Sequence, residues 1–403
     1  MPGSTETVEI RGHIIDSLIL PKILDLLIEG GAEYEVLDFQ IGRTHKDASY
    51  ARIRLTTTNP ASLNEILNRI HQYGAAPIDT GTVTTETADR DGAFPATFYS
   101  TTNLPTELKV DGTWIRVEVP EMDCGIAVEG TRAWTVPVSE VVKGQQIVVG
   151  RDGIRVTPVM RPRGHQDFEF MASSVSAEKP KELQVMTVAQ QMRAVHKDGG
   201  KILWVTGPAL IHTGSGPDLA ALVHDGWVDV LFAGNGFATH DIESNLYKTS
   251  LGLNLEKGTS AEGGHEHHIR SINAVRRSGS IAAAVADGTV TGGVMFELIR
   301  KKVPFVLGGS VRDDGPLPDT VTDVIETQQR MREQIAEVGL CIIVATMLHG
   351  IATGNILPAA VPIVCVDINP STVTKLLDRG SIQSAGLVTD VGLFIKQLRN
   401  LLT

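Results

Sequence analysis

Three histidines fall within four consecutive residues of the stretch GGHEHHIRSI, residues 263–272. Imidazoles at this spacing serve two kinds of chemistry, metal binding and proton transfer near neutral pH. A zinc site would need further ligands at a recognisable spacing, but H-E-x-x-H is absent and no cysteine lies nearby. We therefore expect no metal and take His265 and His268, which share a helical face, as candidate proton-transfer residues; His267 points elsewhere. The alternative is a solvated helix start with Glu266 in its first turn.

Six apolar runs in the second half of the chain end in small or hydrogen-bonding residues. The runs are KILWVTG, VDVLFAGN, VPFVLGGS, LCIIVATM, VPIVCVDIN and SAGLVTD, and their composition is typical of buried parallel strands. An open parallel sheet binds ligands beyond the carboxyl ends of its strands. The residues that follow these runs, from Gly207 to Val391, are therefore candidate ligand contacts.

The run VCVDINP places Asp367 at the end of an apolar strand. An acid in that position can accept hydrogen bonds from both hydroxyls of an adenosine ribose, and no arginine follows that would bind a 2′-phosphate. This favours NAD over NADP. The alternative is that Asp367 or Asn369 caps the helix that starts within DINPSTVTKL, and the two readings are equally supported.

The stretch FAGNGFATHD has glycines on both sides of Asn235, directly before a helical run. This suits a close approach of the backbone to a phosphate at the start of a helix. The fingerprint G-x-G-x-x-G is nevertheless absent, because Thr239 stands where the third glycine would be. The chain is either not a standard dinucleotide binder or a variant one.

Three regions differ in their hydrophobic pattern. Residues 1–95 read as strand, helix, two half-buried strands (EYEVLDFQIG and YARIRLTTT) and helix, which predicts a ferredoxin-like α+β domain. Residues 96–185 predict a small β-rich, barrel-like domain that ends in a connector, FEFMASSVSAEKP (168–180). Residues 186–403 alternate strands and helices, the clearest helix covering 320–339, and predict a Rossmann-like α/β domain with a parallel sheet.

Composition excludes several classes of protein. The formal net charge of −11 over 403 residues, without a Lys/Arg cluster, argues against nucleic-acid binding. No apolar run is long enough to cross a bilayer, and the polar start of the chain is unlike a signal peptide. Cys341 and Cys365 lie in apolar strand-like runs and read as core residues. We expect a cytoplasmic enzyme that binds neither nucleic acid nor membrane.

Several longer motifs together resemble one family. These are PEMDCGI, FEFMASSVSAEKP, GNGFATHDIESN, GGSVRDDGPLPD, ATMLHGIATGN and VCVDINPSTVTKLLDRGS. They are similar to the LOR/SDH family, which includes archaeal NAD-dependent ornithine cyclodeaminases and the C-terminal half of cyanobacterial arginine-dihydrolase fusion enzymes. The resemblance covers nearly the whole chain. It implies contacts with NAD from Asn235, Gly236, Asp314, Thr346, Met347, Leu348, His349, Asp367, Asp390 and Val391.

The resemblance also implies a reaction in which a small basic amino acid, L-ornithine, becomes L-proline and ammonia. NAD takes the α-hydride and later returns it, so the reaction is redox neutral. Arg312 is a candidate clamp for the substrate carboxylate, and Asp313 or Asp314 is a candidate partner for a ribose or an ammonium group. Asp313 is the candidate catalytic residue of this pair. Asp123 and Cys124 of PEMDCG are candidate catalytic and substrate-binding residues. Surface turns are the alternative for both stretches.

Two other functions remain open. A plain NAD-dependent amino-acid or saccharopine-type dehydrogenase would share the cofactor site but release NADH. A non-enzymatic sensor of amino acids or redox state is the third candidate. We also expect a homo-oligomer, because parallel-sheet enzymes of this size often associate and the N-terminal sheet has an edge to offer.

Overall fold

The computed structural model describes residues 4–15, 18–43, 47–71, 73–77, 81–157, 181–250, 253–254, 264–313, 315–379 and 384–403. The predicted connector at 168–180 and the predicted site residue Asp314 lie outside the described residues. The chain divides into two compact units, Met1–Glu169 with Asn355–Ala360 and Phe170–Gly354 with Val361–Thr403. Within the described part, no helix is both long and apolar enough to pass through a lipid bilayer.

An α+β layer opens the first unit. It consists of strands β1 (Ser4–Gly12), β2 (Glu33–Gln40), β3 (Ser49–Thr57) and β4 (Ala76–Pro77) and helices α1 (Ile19–Glu29) and α2 (Pro60–His71). The strands form one antiparallel sheet in the order β2-β3-β1-β4. The predicted ferredoxin-like arrangement is confirmed, and the structure adds β4 to it.

The core of this layer follows the predicted apolar spacing. Ile66 and Ile70 of α2 lie in one buried cluster with Ile10 of β1 and Ile53 of β3. Strand β2 differs from the prediction of a half-buried strand, because nearly all of its residues are exposed. The physical reason is what covers it: the two helices bury their apolar residues with those of β1 and β3, and β2 contributes no residue to that buried cluster.

The rest of the first unit is a sheet of short strands. They are β5 (Thr84–Thr87), β6 (Thr106–Val110), β7 (Thr113–Glu118), β8 (Gly125–Glu129), β9 (Arg132–Val136), β10 (Gln146–Val149) and β11 (Ile154–Val156), in the order β11-β6-β7-β9-β8-β10-β5. The Val83 N–H, just before β5, donates to the Lys109 carbonyl of β6 at 2.8 Å, so the two ends of the sheet approach each other. The small β domain is confirmed. The domain boundaries at residues 95 and 185 stay predictions.

The second unit is built on a parallel sheet. Its strands are β12 (Lys201–Thr206), β13 (Val230–Gly234), β16 (Phe305–Gly308), β17 (Thr320–Val321), β18 (Val338–Val344), β19 (Ile363–Asp367) and β20 (Ser384–Val388), and β14 (Thr249–Ser250) pairs with β15 (Leu253–Asn254) separately. The order is β17-β16-β13-β12-β18-β19-β20, and every neighbouring pair is parallel. All six predicted strands are confirmed.

Helices connect these strands. They are α3 (Lys181–Lys197), α4 (Ala209–His212), α5 (Gly216–His224), α6 (Asn235–Tyr247), α7 (Gly264–Ser278), α8 (Ile281–Ala286), α9 (Val294–Lys301), α10 (Val324–Gln334), α11 (Leu348–Ile356), α12 (Pro370–Arg379) and α13 (Val391–Leu402). The predicted helix over 320–339 is too long at both ends. It begins only after Asp323, whose carboxylate accepts the Ile325 and Glu326 N–H groups, because residues 320–321 instead pair with β16.

The strand order reverses at the first strand of this sheet. From β12 the chain builds outward through β13 and β16 on one side and then returns to build β18, β19 and β20 on the other. The two halves meet between β12 and β18, which is the place where an open α/β sheet leaves a crevice for a ligand. Cys341 of β18 and Cys365 of β19 are free and buried in the strands, as predicted.

Candidate active site

The crevice begins where β12 and β18 end side by side. The Gly207 N–H donates to the Val344 carbonyl at 2.9 Å, and a β-carbon on Gly207 would lie 1.8 Å from the Ala345 carbonyl oxygen. Ala345 itself has a φ of +52°, which an L-residue rarely adopts. Only glycine fits at position 207. The Thr206 hydroxyl beside it is buried and has no hydrogen-bond partner among the described residues.

Asn235 connects the end of β13 to the loop that follows β16. Its amide nitrogen donates to Asp313 Oδ1 at 3.1 Å, and its amide oxygen accepts the Leu317 N–H at 3.0 Å. The same oxygen accepts the hydroxyls of Thr239 and Thr320. The side chain of Asn235 is almost fully buried, and these hydrogen bonds hold the loop after β16 against the end of β13. Gly236 beside it leaves open space where a side chain would stand.

The loop after β16 carries two of the predicted site residues. Asp313 is half-buried, and its second carboxylate oxygen accepts the Ser310 N–H at 2.8 Å. Both oxygens therefore have fixed partners. Arg312 is exposed at the tip of the loop, free to meet a solvent-borne carboxylate.

Residues 345–349 link β18 to α11. Leu348 is exposed, whereas Thr346, Met347 and His349 are half-buried. The His349 ring lies over the ends of two other strands: β-carbons on Gly234 and Gly308 would stand 3.3 and 2.9 Å from its ring atoms. Burial lowers the pKa of His349, so the imidazole is neutral at pH 7.

Of the two residues that could cap α12, the structure shows Asn369 in that role. Asn369 Oδ1 accepts the Ser371 N–H at 2.9 Å in the first turn of α12, so Asn369 caps that helix. Asp367 Oδ1 accepts the Asn369 N–H at 2.8 Å. The second oxygen of Asp367 has no partner in the described part of the chain, and it remains able to accept a ligand hydroxyl.

Asp390 and Val391 stand at the end of β20. Asp390 is exposed and caps α13, because its carboxylate accepts the Leu393 N–H at 2.8 Å. Val391, the first residue of α13, is buried. A capping role therefore accounts for Asp390 without a ligand, and its contact with the cofactor stays a prediction.

The histidines of the opening stretch lie at the start of α7. The side chain of His265 lies outside the described part of the structure. His267 stacks on Tyr247 with ring centroids 4.4 Å apart, and its Nδ1 lies 2.8 Å from the Thr249 hydroxyl. His268 turns toward His240 of α6 instead, with centroids 4.7 Å apart. Its Nδ1 is buried without a hydrogen-bond partner among the described residues.

His240, Glu243 and His212 are functional candidates that the sequence reasoning missed. His240 lies against His268, His212 lies against His240, and Glu243 is fully buried. The signal for a functional site was present in FATHDIESN. This stretch directly follows a strand end and carries Thr, His, Asp and Glu, which are rarely buried unless they have polar partners. Asp241, the remaining acid, accepts the Val294 and Met295 N–H groups and so caps α9.

Asp123 and Cys124 belong to the first unit. Asp123 is exposed and has a φ of +61° in the turn before β8. Cys124 is buried, and its thiol donates to the Met122 carbonyl. The predicted catalytic and substrate-binding roles of these two residues stay predictions.

The strand ends suit a dinucleotide. Helix α6 begins directly at the end of β13, and helix α11 begins four residues after β18 ends. The first N–H groups of both helices favour an anion such as a pyrophosphate. Gly236 offers bare backbone at the first of these positions. Asp367 offers a carboxylate oxygen suited to a ribose hydroxyl. The donor set therefore fits NAD without the standard glycine fingerprint.

Comparison with known protein families gives three consecutive matches. Residues 5–104 match the LOR/SDH bifunctional enzyme conserved region. Residues 105–185 match the first C-terminal region, and residues 186–398 the C-terminal Rossmann fold, of ArgZ-like arginine dihydrolases.

Three similar proteins show how far the likeness extends. An ornithine cyclodeaminase from Methanothermobacter thermautotrophicus is 49% identical over 97% of this chain and 96% of its own length. The apo structure of the cyanobacterial arginine dihydrolase ArgZ is 36% identical with a TM-score of 0.86, over 100% of this chain and 58% of that longer one. The ternary complex of AgrE with ornithine and NAD⁺ is 38% identical with a TM-score of 0.54, again over 100% and 58%. AgrE is the bifunctional arginine dihydrolase/ornithine cyclodeaminase of Nostoc sp.. Since these likenesses extend through both units, the chain belongs to the LOR/SDH family with an ArgZ-like C-terminal Rossmann domain.

Proposed function

We propose that this chain is an ornithine cyclodeaminase, which converts L-ornithine to L-proline and ammonia with NAD as a bound cofactor. One observation carries the proposal: a Rossmann strand order brings Asp367, the start of α11 and the Asn235–Asp313 pair to the same edge of one sheet. The name of the archaeal relative and the ligands of the AgrE complex support the same substrate and cofactor.

Residues along this edge would hold the cofactor in a definite order. Asp367 would accept hydrogen bonds from the adenosine ribose hydroxyls. Backbone groups at the start of α11 would contact the cofactor as well, from Thr346, Met347, Leu348 and His349. Asn235 and Gly236 lie at β13, two strands further along the sheet from β18. We place the nicotinamide end there, and we keep Asp314, Asp390 and Val391 as further contacts.

The cofactor, when bound, would accept a hydride from the substrate α-carbon and return it to the ring carbon of the product. The chain itself must orient the substrate and handle its protons. Arg312 is exposed beside Asp313 and would pair with the substrate carboxylate. Asp313, with both oxygens fixed, would orient an ammonium group. His265, His268, Asp123 and Cys124 keep their candidate roles within this proposal.

Turnover with little cofactor tests the proposal. The full chain is incubated with L-ornithine and NAD⁺ at a small fraction of the substrate concentration. Proline and ammonia should form in equal amounts, in excess over NAD⁺, without net accumulation of reduced nicotinamide. Stoichiometric reduction of NAD⁺ with a keto or imino product would instead indicate a dehydrogenase. Tight binding of both ligands without any product would indicate a sensor.

Asp367 tests the cofactor site separately. Asp367→Ala should weaken NAD⁺ binding roughly 30-fold, equal to about 2 kcal/mol, in a calorimetric titration. Asp198→Ala removes an exposed acid near the amino end of β12 and should leave the affinity unchanged. NADP⁺ should bind the wild-type chain more weakly than NAD⁺, since its 2′-phosphate would meet the Asp367 carboxylate. Equal affinities for the two cofactors would contradict this placement.

We also infer that copies of the chain associate and that it is cytoplasmic. Val36, Leu37 and Phe39 are exposed on the edge strand β2, which favours burial against another copy. The cysteines are free, as is usual in a reducing compartment. Light scattering on the purified chain tests the association: a monomeric mass at micromolar concentration would contradict it.

A further inference from the structure

A group of imidazoles surrounds one buried carboxylate beside the candidate cofactor site. We call it the histidine cluster; its members are His212 of α4, His240 and Glu243 of α6, and His268 of α7. Ring centroids lie 4.6 Å apart between His212 and His240, and 4.7 Å apart between His240 and His268. Two members also hold the segment after α6, because Glu243 accepts the Thr249 hydroxyl and His212 Nδ1 lies 2.6 Å from the Ser250 hydroxyl.

The cluster is joined to the strand-end site through α6. Asn235, which holds Asp313, begins this helix, and Thr239 bonds to Asn235 one residue before His240. The charges of Asp313 and Arg312 also act on the pKa of His268. Substrate groups held by the loop after β16 would therefore lie within the electrostatic reach of the cluster.

Glu243 sets the orientation of His240. Its Oε2 lies 2.9 Å from His240 Nδ1, and its Oε1 accepts the Thr249 hydroxyl at 2.9 Å. If Glu243 is ionised, it can only accept, and His240 then carries its proton on Nδ1 and has Nε2 as its accepting nitrogen. This is the arrangement in which a carboxylate orients an imidazole and stabilises it once it is protonated.

The neighbouring rings are held neutral. Burial and, to a smaller extent, the nearby His240 lower the pKa of His212 to about 4, against the opposing influence of Glu243. Burial and His240 also lower the pKa of His268, against the opposing influence of Glu243 and Asp313. A neutral ring keeps one nitrogen that can accept a proton. His268 Nδ1 has no hydrogen-bond partner among the described residues, whereas His212 Nδ1 lies 2.6 Å from the Ser250 hydroxyl.

A bound metal ion is the rival reading of the cluster. His240, Glu243 and His268 each offer one ligand atom, and these atoms lie within 4.8 Å of one another. Both oxygens of Glu243, however, already accept hydrogen bonds from His240 and Thr249. The carboxylate is thus satisfied by protons of the chain, which favours proton transfer over coordination.

We propose that His240 is the base that takes protons from the substrate amino groups and later returns them, with Glu243 as its positioning residue. This rests on the proposed function. In each transfer a substrate N–H bond breaks, its electron pair stays on nitrogen, and an Nε2–H bond forms on His240. His268 and His212 accept or pass on the proton.

The overall proton balance supports a single group in both directions. Ornithine carries two ammonium groups at neutral pH, and proline and ammonium ion carry two between them. Each proton that is removed to free an amine for attack is therefore returned to the departing ammonia or to the product nitrogen. A base that becomes an acid within one turnover meets this need without exchange with bulk water.

His240→Gln tests the proposal, because the amide can still bond to Glu243 but cannot take up a proton. We expect kcat for proline formation to fall by at least 100-fold, with the Kd for NAD⁺ changed by less than about threefold. Glu243→Gln should lower kcat less and should alter the pH profile. The matched control is His224→Gln, which removes an exposed histidine bonded to Glu297 and should leave every constant unchanged.

Four further outcomes decide the matter. The wild-type kcat/KM must fall in acid, because a protonated base cannot take a proton from the substrate. The titratable and charged groups around His240 that shape this profile are His212, His268, Glu243, Asp313 and Arg312. A profile without an acid limb overturns the proposal, whether or not the variants fold. A His240→Gln enzyme with near-normal kcat overturns it as well. Stoichiometric metal in the purified wild type that is absent from His240→Gln would reassign the cluster to a metal. A wild type that makes no proline would instead reject the proposed function, and this inference with it.

Discussion

The imidazole of His349 lies against Gly308 so closely that a β-carbon on the glycine would stand 2.9 Å from Nε2 and 3.1 Å from Thr327 Cγ2. Two strand ends are thereby joined, because His349 follows β18 and Gly308 ends β16. The same ring also approaches Gly234 at the end of β13. Glycines at these ends make room for the side chain of another loop.

Gly308→Ala should displace this ring and weaken NAD⁺ binding about tenfold, or ~1.4 kcal/mol, with a smaller loss of stability. The reason is that His349 belongs to the loop that is expected to meet the cofactor. Calorimetric titration measures the affinity. Gly81→Ala is the control, since a β-carbon there makes only an ordinary contact, 3.9 Å from Asp152. Unchanged affinity in Gly308→Ala would show that the cofactor does not depend on the position of His349.

Asn235→Ala should lower both stability and NAD⁺ affinity. The substitution leaves the buried Leu317 N–H without its acceptor and removes a hydrogen bond to Asp313, at a cost of roughly 3 kcal/mol. Urea unfolding and NAD⁺ titration measure the two effects. Asn245→Ala removes the acceptor of one exposed N–H, that of Thr291, and should cost about 1 kcal/mol with no change in affinity. Similar losses in the two variants would contradict the special role of Asn235.

Asp241 and Asp323 both cap helices but differ in burial. Asp241 is buried and accepts the Val294 and Met295 N–H groups of α9, whereas Asp323 is exposed at the start of α10. We expect Asp241→Ala to cost roughly 3 kcal/mol, because two buried N–H groups lose their partner, and Asp323→Ala about 1 kcal/mol. Denaturant midpoints, compared at an unchanged m-value, show which of the two substitutions lowers the free energy of unfolding more. Equal losses, or a larger loss in Asp323→Ala, would show that water takes the place of the Asp241 carboxylate as acceptor of the two N–H groups.

His71 should make stability depend on pH. Its ring is buried between the Tyr99 hydroxyl and the Ile154 carbonyl, and burial lowers its pKa to about 4. The unfolded chain therefore binds this proton more readily, and stability should decline as the pH falls from about 6.5 toward 4, by roughly 3 kcal/mol from this residue.

Thermal melts across that pH range test this expectation. His71→Gln should reduce the slope of the decline, and part should remain, because the pKa values of His212, His268 and His349 are also lowered by burial. His224→Gln, at an exposed site, should keep the wild-type slope. A slope unaffected by His71→Gln would mean that this ring stays neutral in both states.

Local patterns in the sequence predicted the elements well. Six of the seven strands of the parallel sheet were readable, since strands buried on both faces are continuous apolar runs bounded by small residues. The two-residue strand β17 was not predicted. The exposure of β2 was not readable, because its alternation is the same whether or not another element covers it. The start of the helix within 320–339 was also missed, since the pairing of Thr320 and Val321 with β16 depends on residues far away in the chain.

For the site, the sequence by itself determined which chemical groups stand at the strand ends, because direction and spacing along one strand are local properties. Asp367, Asn235 and Arg312 were identified in this way. Only the tertiary structure decided that Asn369 is the helix cap, that Asp313 is held by Asn235, and that His240 and Glu243 meet His268. The contact of Asn235 with Asp313 and those of His240 and Glu243 with His268 join segments tens of residues apart, whereas the Asn369 cap lies within one turn. The free energy that brings them together comes from packing of α6 and α7 in the folded domain, and no local pattern encodes that contact.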